Sequence, residues 1–196
     1  MNEQIKTVYR VIEERYVKVA WTHKIQECQA GIYLEKENKN RKWMSAINAI
    51  TTTSAVITLF YNIIPSIKDS APWIPVVITA GFAVWSSYLT FRYKDQTFGT
   101  KAAANKQYAA KCHDMRNRYE SLLADVFSGR LATLEEVCAK RDELSNEENI
   151  LYSSETAPHT TSEAVDMARK ALMVNRDSQT EDNEIRAIVP QHLQVL

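Results

Sequence analysis

The sequence predicts an all-α membrane protein: a two-transmembrane helical hairpin with long antiparallel cytoplasmic helical arms and a small C-terminal helical cap. Three observations carry the prediction. Trp43 to Ile67 runs for 25 residues without an ionisable side chain, and Ser70 to Phe91 for 22 more, with only Lys68 and Asp69 between them. At about 1.5 Å of rise per residue, each run is long enough to cross a bilayer core of about 30 Å. Basic residues stand at the outer ends of this pair: Lys36, Lys39, Arg41 and Lys42 before it, Arg92, Lys94 and Lys101 after it. By the positive-inside rule this places both termini in the cytoplasm and the Pro65 to Pro72 loop outside.

The N-terminal arm, residues 1–42, carries one proline-free charged stretch with a single glycine, Gly31, and reads as a long helix. Its seam is Val8 or Tyr9, Ile12, Tyr16, Val19, His23, Gln26, Ala30 and Tyr33, spaced by threes and fours in the manner of heptads. The hairpin follows over 43–91, with spans at about 43–64 and 73–91. Trp43, Tyr61, Trp73, Tyr88 and Tyr93 fall near the headgroup levels, where amphipathic rings sit. Prolines 65 and 72 close a short polar connection, so the two helices turn back on each other. A buried hairpin in a soluble bundle is the competing reading, because the first run is rich in serine, threonine and asparagine.

Residues 92–175 form the cytoplasmic helical region. Its first part repeats the arm pattern with Phe98, Ala102, Asn105, Ala109, Cys112, Arg116, Tyr119, Leu123 and Val126. Arms of similar length beside a rigid hairpin lie antiparallel, with paired residue numbers summing to about 135. That register sets Ile12 beside Leu123, Tyr16 beside Tyr119, Ala30 beside Asn105 and Tyr33 beside Ala102. It also lays Gly31 against Ala102 to Ala104, a close approach that would explain a glycine costing about 1 kcal/mol in a helix interior. On this reading Gly31→Leu disrupts assembly. His23 falls near Cys112, a polar contact more than a metal site. Ser128-Gly129 stops the arm. Two capping boxes then open new helices, Thr133 with Glu136 and Thr160 with Glu163, separated by a turn over 153–159. A polar tail, 176–196, ends in the apolar residues Ile185, Ile188, Val189, Leu193, Val195 and Leu196, which should dock on something.

Charge is zero overall but unevenly spread: +3 over 1–42, 0 over 43–91, +3 over 92–127 and −6 over 128–196. Basic arms beside a bilayer favour anionic membrane lipid. Direct nucleic-acid binding is not expected, since acids interleave the bases and no recognition motif accompanies them. The cysteines, Cys28, Cys112 and Cys138, lack metal-ligand spacing and read as reduced packing residues. The first residues hold no apolar signal region, so the first span would direct insertion.

Chemistry is sparse. Four glycines cannot build a dinucleotide fingerprint or phosphate loop, and neither a nucleophile elbow nor a zinc-protease motif occurs. The acidic pairs Glu13-Glu14, Glu135-Glu136 and Glu147-Glu148 read as solvated helix surface. No catalytic residue, cofactor or metal is expected, and the protein is not read as an enzyme. The spans do carry a pattern. Asn48, Thr51, Ala55, Thr58 and Asn62 step by 3, 4, 3 and 4 along one face, which lipid would disfavour. Either this face seals helix to helix, or several copies ring an aqueous path along it; one chain is too little to enclose a pore, so conduction requires a homo-oligomer. Thr79, Ala83, Ser86 and Thr90 form a companion face suited to hairpin packing.

The basic arm from Arg10 to Lys42, the proline-bearing loop, the second span ending Phe91-Arg92-Tyr93, the long following helix, the Ala157-Pro158 turn before an alanine-rich helix, and the closing Ile185 to Leu193 segment occur in a distinctive order. In that order the chain resembles the SLATT family, two-transmembrane effector domains associated with bacterial nucleotide-signalling and anti-phage systems. The polar first span and the lack of a fused sensor domain depart from the common pattern. The resemblance implies a pore-forming or membrane-disrupting effector of antiviral abortive infection, multi-pass in the bacterial inner membrane. It also implies a defence-system partner: a nucleotide second-messenger synthase or sensor, or a reverse transcriptase. A membrane-anchored scaffold or inhibitory adaptor that recruits a soluble partner is the alternative. A small ion-transport accessory protein fits less well, because no charge lies within either span.

Overall fold

A computed structural model describes residues 3–63, 73–94, 97–153, 157–173 and 188–194; the side chains of 54, 57–63, 74–75, 92–94 and 173 are outside the description. The described chain is all-helical. Five α-helices run in order: α1 (Glu3–Ile63), α2 (Ile74–Lys94), α3 (Phe98–Phe127), α4 (Leu134–Ser153) and α5 (Ser162–Met173), followed by a 3-10 turn at Gln191–Leu193. The expected loop from Pro65 to Pro72 and the polar stretch from Arg176 to Glu184 lie outside the described residues.

Two compact units share α1. Met1–Ile32 with Lys101–Leu196 forms a helical bundle, and Tyr33–Thr100 forms a helix pair. In the bundle, α1 and α3 contribute the larger part of one core, in which Tyr9, Ile12, Val19, Cys112, Tyr119 and Leu123 are buried to 1% exposure or less. The heptad-like stripes meet as antiparallel seams. Two contacts fix the register: the His23 and His113 rings stand 5.2 Å apart, and Tyr16 donates at 3.5 Å to Glu120, so paired numbers sum to 136. Thus His23 meets His113, where the sequence placed it near Cys112.

Burial on α1 is wider than one seam, since Glu13, Val17, Ala20 and Gln29 are buried as well. A stripe repeating every three or four residues covers one neighbour; the second face serves the additional helices. Val137 and Leu144 of α4, and Ala164 and Ala168 of α5, are among the buried residues. Val189 and Leu193 join the core, and the Tyr9 hydroxyl donates to the Leu193 carbonyl. Tyr9 is therefore the fully buried residue near the start of the seam, and Val8, partly buried, packs against the same core.

Helix ends follow local chemistry. Gly129 takes φ +75° after α3, where its N–H bonds to Val126 O at 3.1 Å and Arg130 N–H to Asp125 O at 2.9 Å, an ending that favours glycine. Thr133 and Glu136 cap α4 reciprocally: Glu136 N–H donates to Thr133 Oγ1 (3.3 Å), and Thr133 N–H and hydroxyl donate to Glu136 Oε2 (3.2 and 2.8 Å). The start of α5 differs from the sequence expectation. Thr161, one residue beyond Thr160, accepts the Ala164 N–H at 3.4 Å, because Gln29 Oε1 holds the Thr161 N–H and hydroxyl at 2.7 and 2.9 Å.

Gly31 also corrects the sequence reading. It is exposed, and a Cβ built on it would meet nothing within 4 Å, so it makes no close approach to Ala102. The buried residues around it are Ala30 and Ile32, which turn to the core while Gly31 turns away. Gly31→Ala is therefore expected to stabilise the bundle by about 0.5–1 kcal/mol through backbone entropy. Chemical unfolding followed by helix signal checks this; a lowered midpoint would reveal a neighbour covering Gly31.

Candidate functional site

In the helix-pair unit, the charge-free part of α1 packs beside α2. Met44, Ile47 and Thr51 on α1 and Thr79, Ser86 and Leu89 on α2 are half-buried, a spacing of threes, fours and sevens that defines the two facing stripes. Asn48 and Ala55, one step around α1, are exposed, as are Ala83 and Thr90 on α2. The expected stripes thus divide: Thr51, Thr79 and Ser86 face the helix pair, while Asn48 and Ala55 face outward. Thr58 and Asn62 belong to α1 with side chains outside the description.

Four threonine hydroxyls along these helices are satisfied locally. Thr51, Thr52 and Thr53 donate to the carbonyls of Ile47, Asn48 and Ala49 at 2.8–2.9 Å, and Thr90 donates to Ser86 at 2.8 Å. Donors turned into the backbone need no water, so a helix rich in threonine tolerates apolar surroundings. What such a side chain presents outward is a methyl group and oxygen lone pairs. Around them large apolar residues are exposed, among them Trp43, Trp73, Val84, Trp85 and Phe91, each at 58% or more. Among the described residues no helix is long and apolar enough to cross a membrane. In α1 the hydroxyl and amide side chains dilute the apolar ones.

The bundle carries a buried ionic layer that the sequence reading placed on the surface. Glu148 is completely buried. Its Oε2 accepts from Arg15 Nη1 at 2.9 Å and from the Tyr119 hydroxyl at 2.8 Å, and Lys18 Nζ stands 3.0 Å from Oε1 as an ion pair. Lys18 also lies 4.6 Å over the Tyr152 ring, whose hydroxyl donates to Thr22 at 3.2 Å. Burial, and then the hydrogen bond to Glu148, push the Tyr119 phenol up to about 12. Burial alone would lower Arg15, but the bond to Glu148 and its charge more than compensate. Glu13 is buried too. Neighbours on a helix point about 100° apart, so Glu13 and Glu148 enter the core while Glu14 and Glu147 stay wetter, whereas both members of Glu135-Glu136 are exposed.

Residues 8–184 match the family described as SMODS and SLOG-associating 2TM effector domain, family 4. The chain belongs to that family. The match covers both units, and the description makes this SLATT chain a two-transmembrane effector domain associated with SMODS and SLOG nucleotide-signalling systems. No curated protein and no solved structure matches the chain.

Among the described residues of this SLATT chain, no group of three or more His, Cys, Asp or Glu could hold a metal ion. Of the arm residues singled out in the sequence, Tyr16, Ala102 and Tyr119 are buried in the bundle and Gly31 is not. Burial pushes the Cys112 thiol up to about 11, which makes it a poor nucleophile. His23 titrates in the opposite direction: burial first, then the charges of Arg116, His113 and Lys24, outweigh Glu27 and lower it below 6.5. Below pH 6.5 the unfolded chain therefore takes up a proton that the folded bundle refuses, so His23's contribution is present above 6.5 and is lost as pH falls toward the folded value. Thermal unfolding at pH 7.5, 6.5 and 5.5 should show a falling midpoint, and His23→Gln should flatten that fall.

Proposed function

We propose that this SLATT chain is an oligomeric pore-forming effector of the bacterial inner membrane in antiviral defence, acting without a catalytic step of its own. The observation that carries the reading is α1. One uninterrupted helix, Glu3–Ile63, supplies the core stripe of the bundle at one end and the outward-facing Asn48 and Ala55 at the other. In this reading, a change that a partner makes in the bundle reaches the charge-free half along α1. Engagement of the cytoplasmic bundle by a signalling partner, worth a few kcal/mol of differential binding, is then enough to expose or hide the polar stripe. Two helices cannot enclose a path, so copies must assemble.

The test is membrane potential and dye entry in bacteria during induced expression, alone and with the neighbouring genes of the system. Wild type is compared with the Asn48→Leu, Asn62→Leu double variant at matched membrane abundance. Depolarisation by the wild type and its loss in the double variant are expected. Full depolarisation in the double variant would overturn the lining assignment. Activity surviving replacement of both charge-free helices by an unrelated hairpin would show an adaptor in place of a pore.

A further inference from the structure

The helix pair holds a groove of about 350 Å³ lined by Trp43, Ile47 and Ile50 of α1 and Phe82, Trp85 and Leu89 of α2. No hydrogen-bonding carboxylate, amide or hydroxyl lines it, and its volume lies at the small end of the range of about 300–1,000 Å³ usual for small-molecule sites. Four of its residues remain substantially open: Trp43 (65%), Trp85 (58%), Ile50 (48%) and Phe82 (39%). Such a surface does not stay bare in water. Just before it on α1 the chemistry changes. Lys39 and Lys36 precede Trp43 by four and seven residues, on the same helix face and one and two turns away, and Arg41 and Lys42 are exposed beside them. Lys39 pairs with Glu35 at 2.9 Å, but both side chains are 69% exposed, so the pair is screened and readily exchanged.

From this juxtaposition of an apolar groove and a basic turn we infer a binding site for one anionic phospholipid. An acyl chain lies across Trp43, Phe82 and Trp85, and the phosphate-bearing headgroup rests on Lys39 and Lys36. The inference rests on the membrane placement of the helix pair. Charge complementarity favours lipid over a second copy of this chain. A second copy seated at this level brings another set of the same lysines and arginines close by, whereas an anionic headgroup neutralises them. The groove makes the site selective for a chain, and the lysines make it selective for a charge.

The experiment is native mass spectrometry of the full chain extracted from bacterial membranes, then exchanged into nanodiscs of equal phosphatidylglycerol and phosphatidylethanolamine. One retained phosphatidylglycerol per chain is expected, at about tenfold or greater preference, given roughly fivefold for each basic residue near an anionic surface. Lys36→Gln with Lys39→Gln should abolish the preference while some lipid of either kind is retained. Ile50→Trp, which fills the groove, should abolish retention of both. Equal retention of the two lipids by the wild type, or unchanged preference in the lysine variant, overturns the inference. So does efficient disulfide cross-linking between copies of a Trp85→Cys variant, which would place a second copy in the groove. Absence of the chain from the membrane fraction would instead refute the membrane reading itself, and the two failures are thus separable.

Discussion

Arg15→Leu is expected to destabilise the bundle by about 3 kcal/mol, more than removal of the carboxylate it serves. The argument turns on which charge can reach water. Glu148 is fully buried, whereas the Arg15 side chain is 32% exposed and Lys18 59% exposed. Without Arg15, a buried carboxylate keeps one hydrogen bond, from Tyr119, and the attraction of a lysine that is largely solvated. Without Glu148, both cations can turn outward, and the residual cost is the Tyr119 hydroxyl left lacking its acceptor, about 1–2 kcal/mol. Glu148→Leu should therefore be milder than Arg15→Leu, and adding Glu148→Leu to Arg15→Leu should restore part of the stability. Urea unfolding of the three variants gives the ordering. Equal losses for the two single variants would mean that Glu148 gains water when Arg15 leaves.

If the chain is the pore proposed above, Asn38→Pro is expected to abolish depolarisation while the chain still reaches the membrane and the bundle still folds. Asn38 is an exposed residue inside α1, in the Tyr33–Thr100 unit. A proline there removes the 38 to 34 backbone hydrogen bond and sets its ring against the Leu34 carbonyl, a local cost of about 3 kcal/mol or more that helices meet by kinking. Bundle stability should be unchanged, because none of its core residues lies beyond Ile32 on α1. If rotation along α1 is how the bundle controls the charge-free half, a kink uncouples them. Wild-type depolarisation by Asn38→Pro, at equal membrane abundance, would separate the pore from the arm.

Periodicity made the bundle's seams legible. Tyr9, Ile12, Tyr16 and Val19, and opposite them Ala109, Cys112, Tyr119 and Leu123, step by threes, fours and sevens, and all are buried. Caps with a short-range rule, Gly129 and the Thr133–Glu136 pair, could be read from neighbouring letters alone. Glu148 could not, because a carboxylate's hydropathy argues for solvent and its partner Arg15 is 133 residues away. A signal did exist: continuing Val137, Arg141 and Leu144 by four arrives at Glu148 on the same face. Gly31 misled for the opposite reason. A glycine in a helix permits a close approach without requiring one, and only the neighbours decide. In the helix pair, the stripe from Asn48 was assigned one direction, yet Thr51 and Asn48 are separated by enough rotation for one to face α2 and the other to face away.

The bond from Tyr9 to Leu193 has a consequence for how the protein is made. Residues 188–193 close the core around Tyr9, 184 positions earlier in the chain, and the α1–α3 seams likewise join segments separated by the whole helix pair. A ribosome delivers the charge-free helices long before it delivers α4, α5 or the 3-10 turn. Every nascent copy therefore spends part of its synthesis with its charge-free helices already made and its bundle unfinished, the state in which long-range contacts are still to form. If the chain is the oligomeric pore proposed above, half-made copies are the ones most exposed to premature action, and restraint depends on keeping them apart until Leu193 has been added.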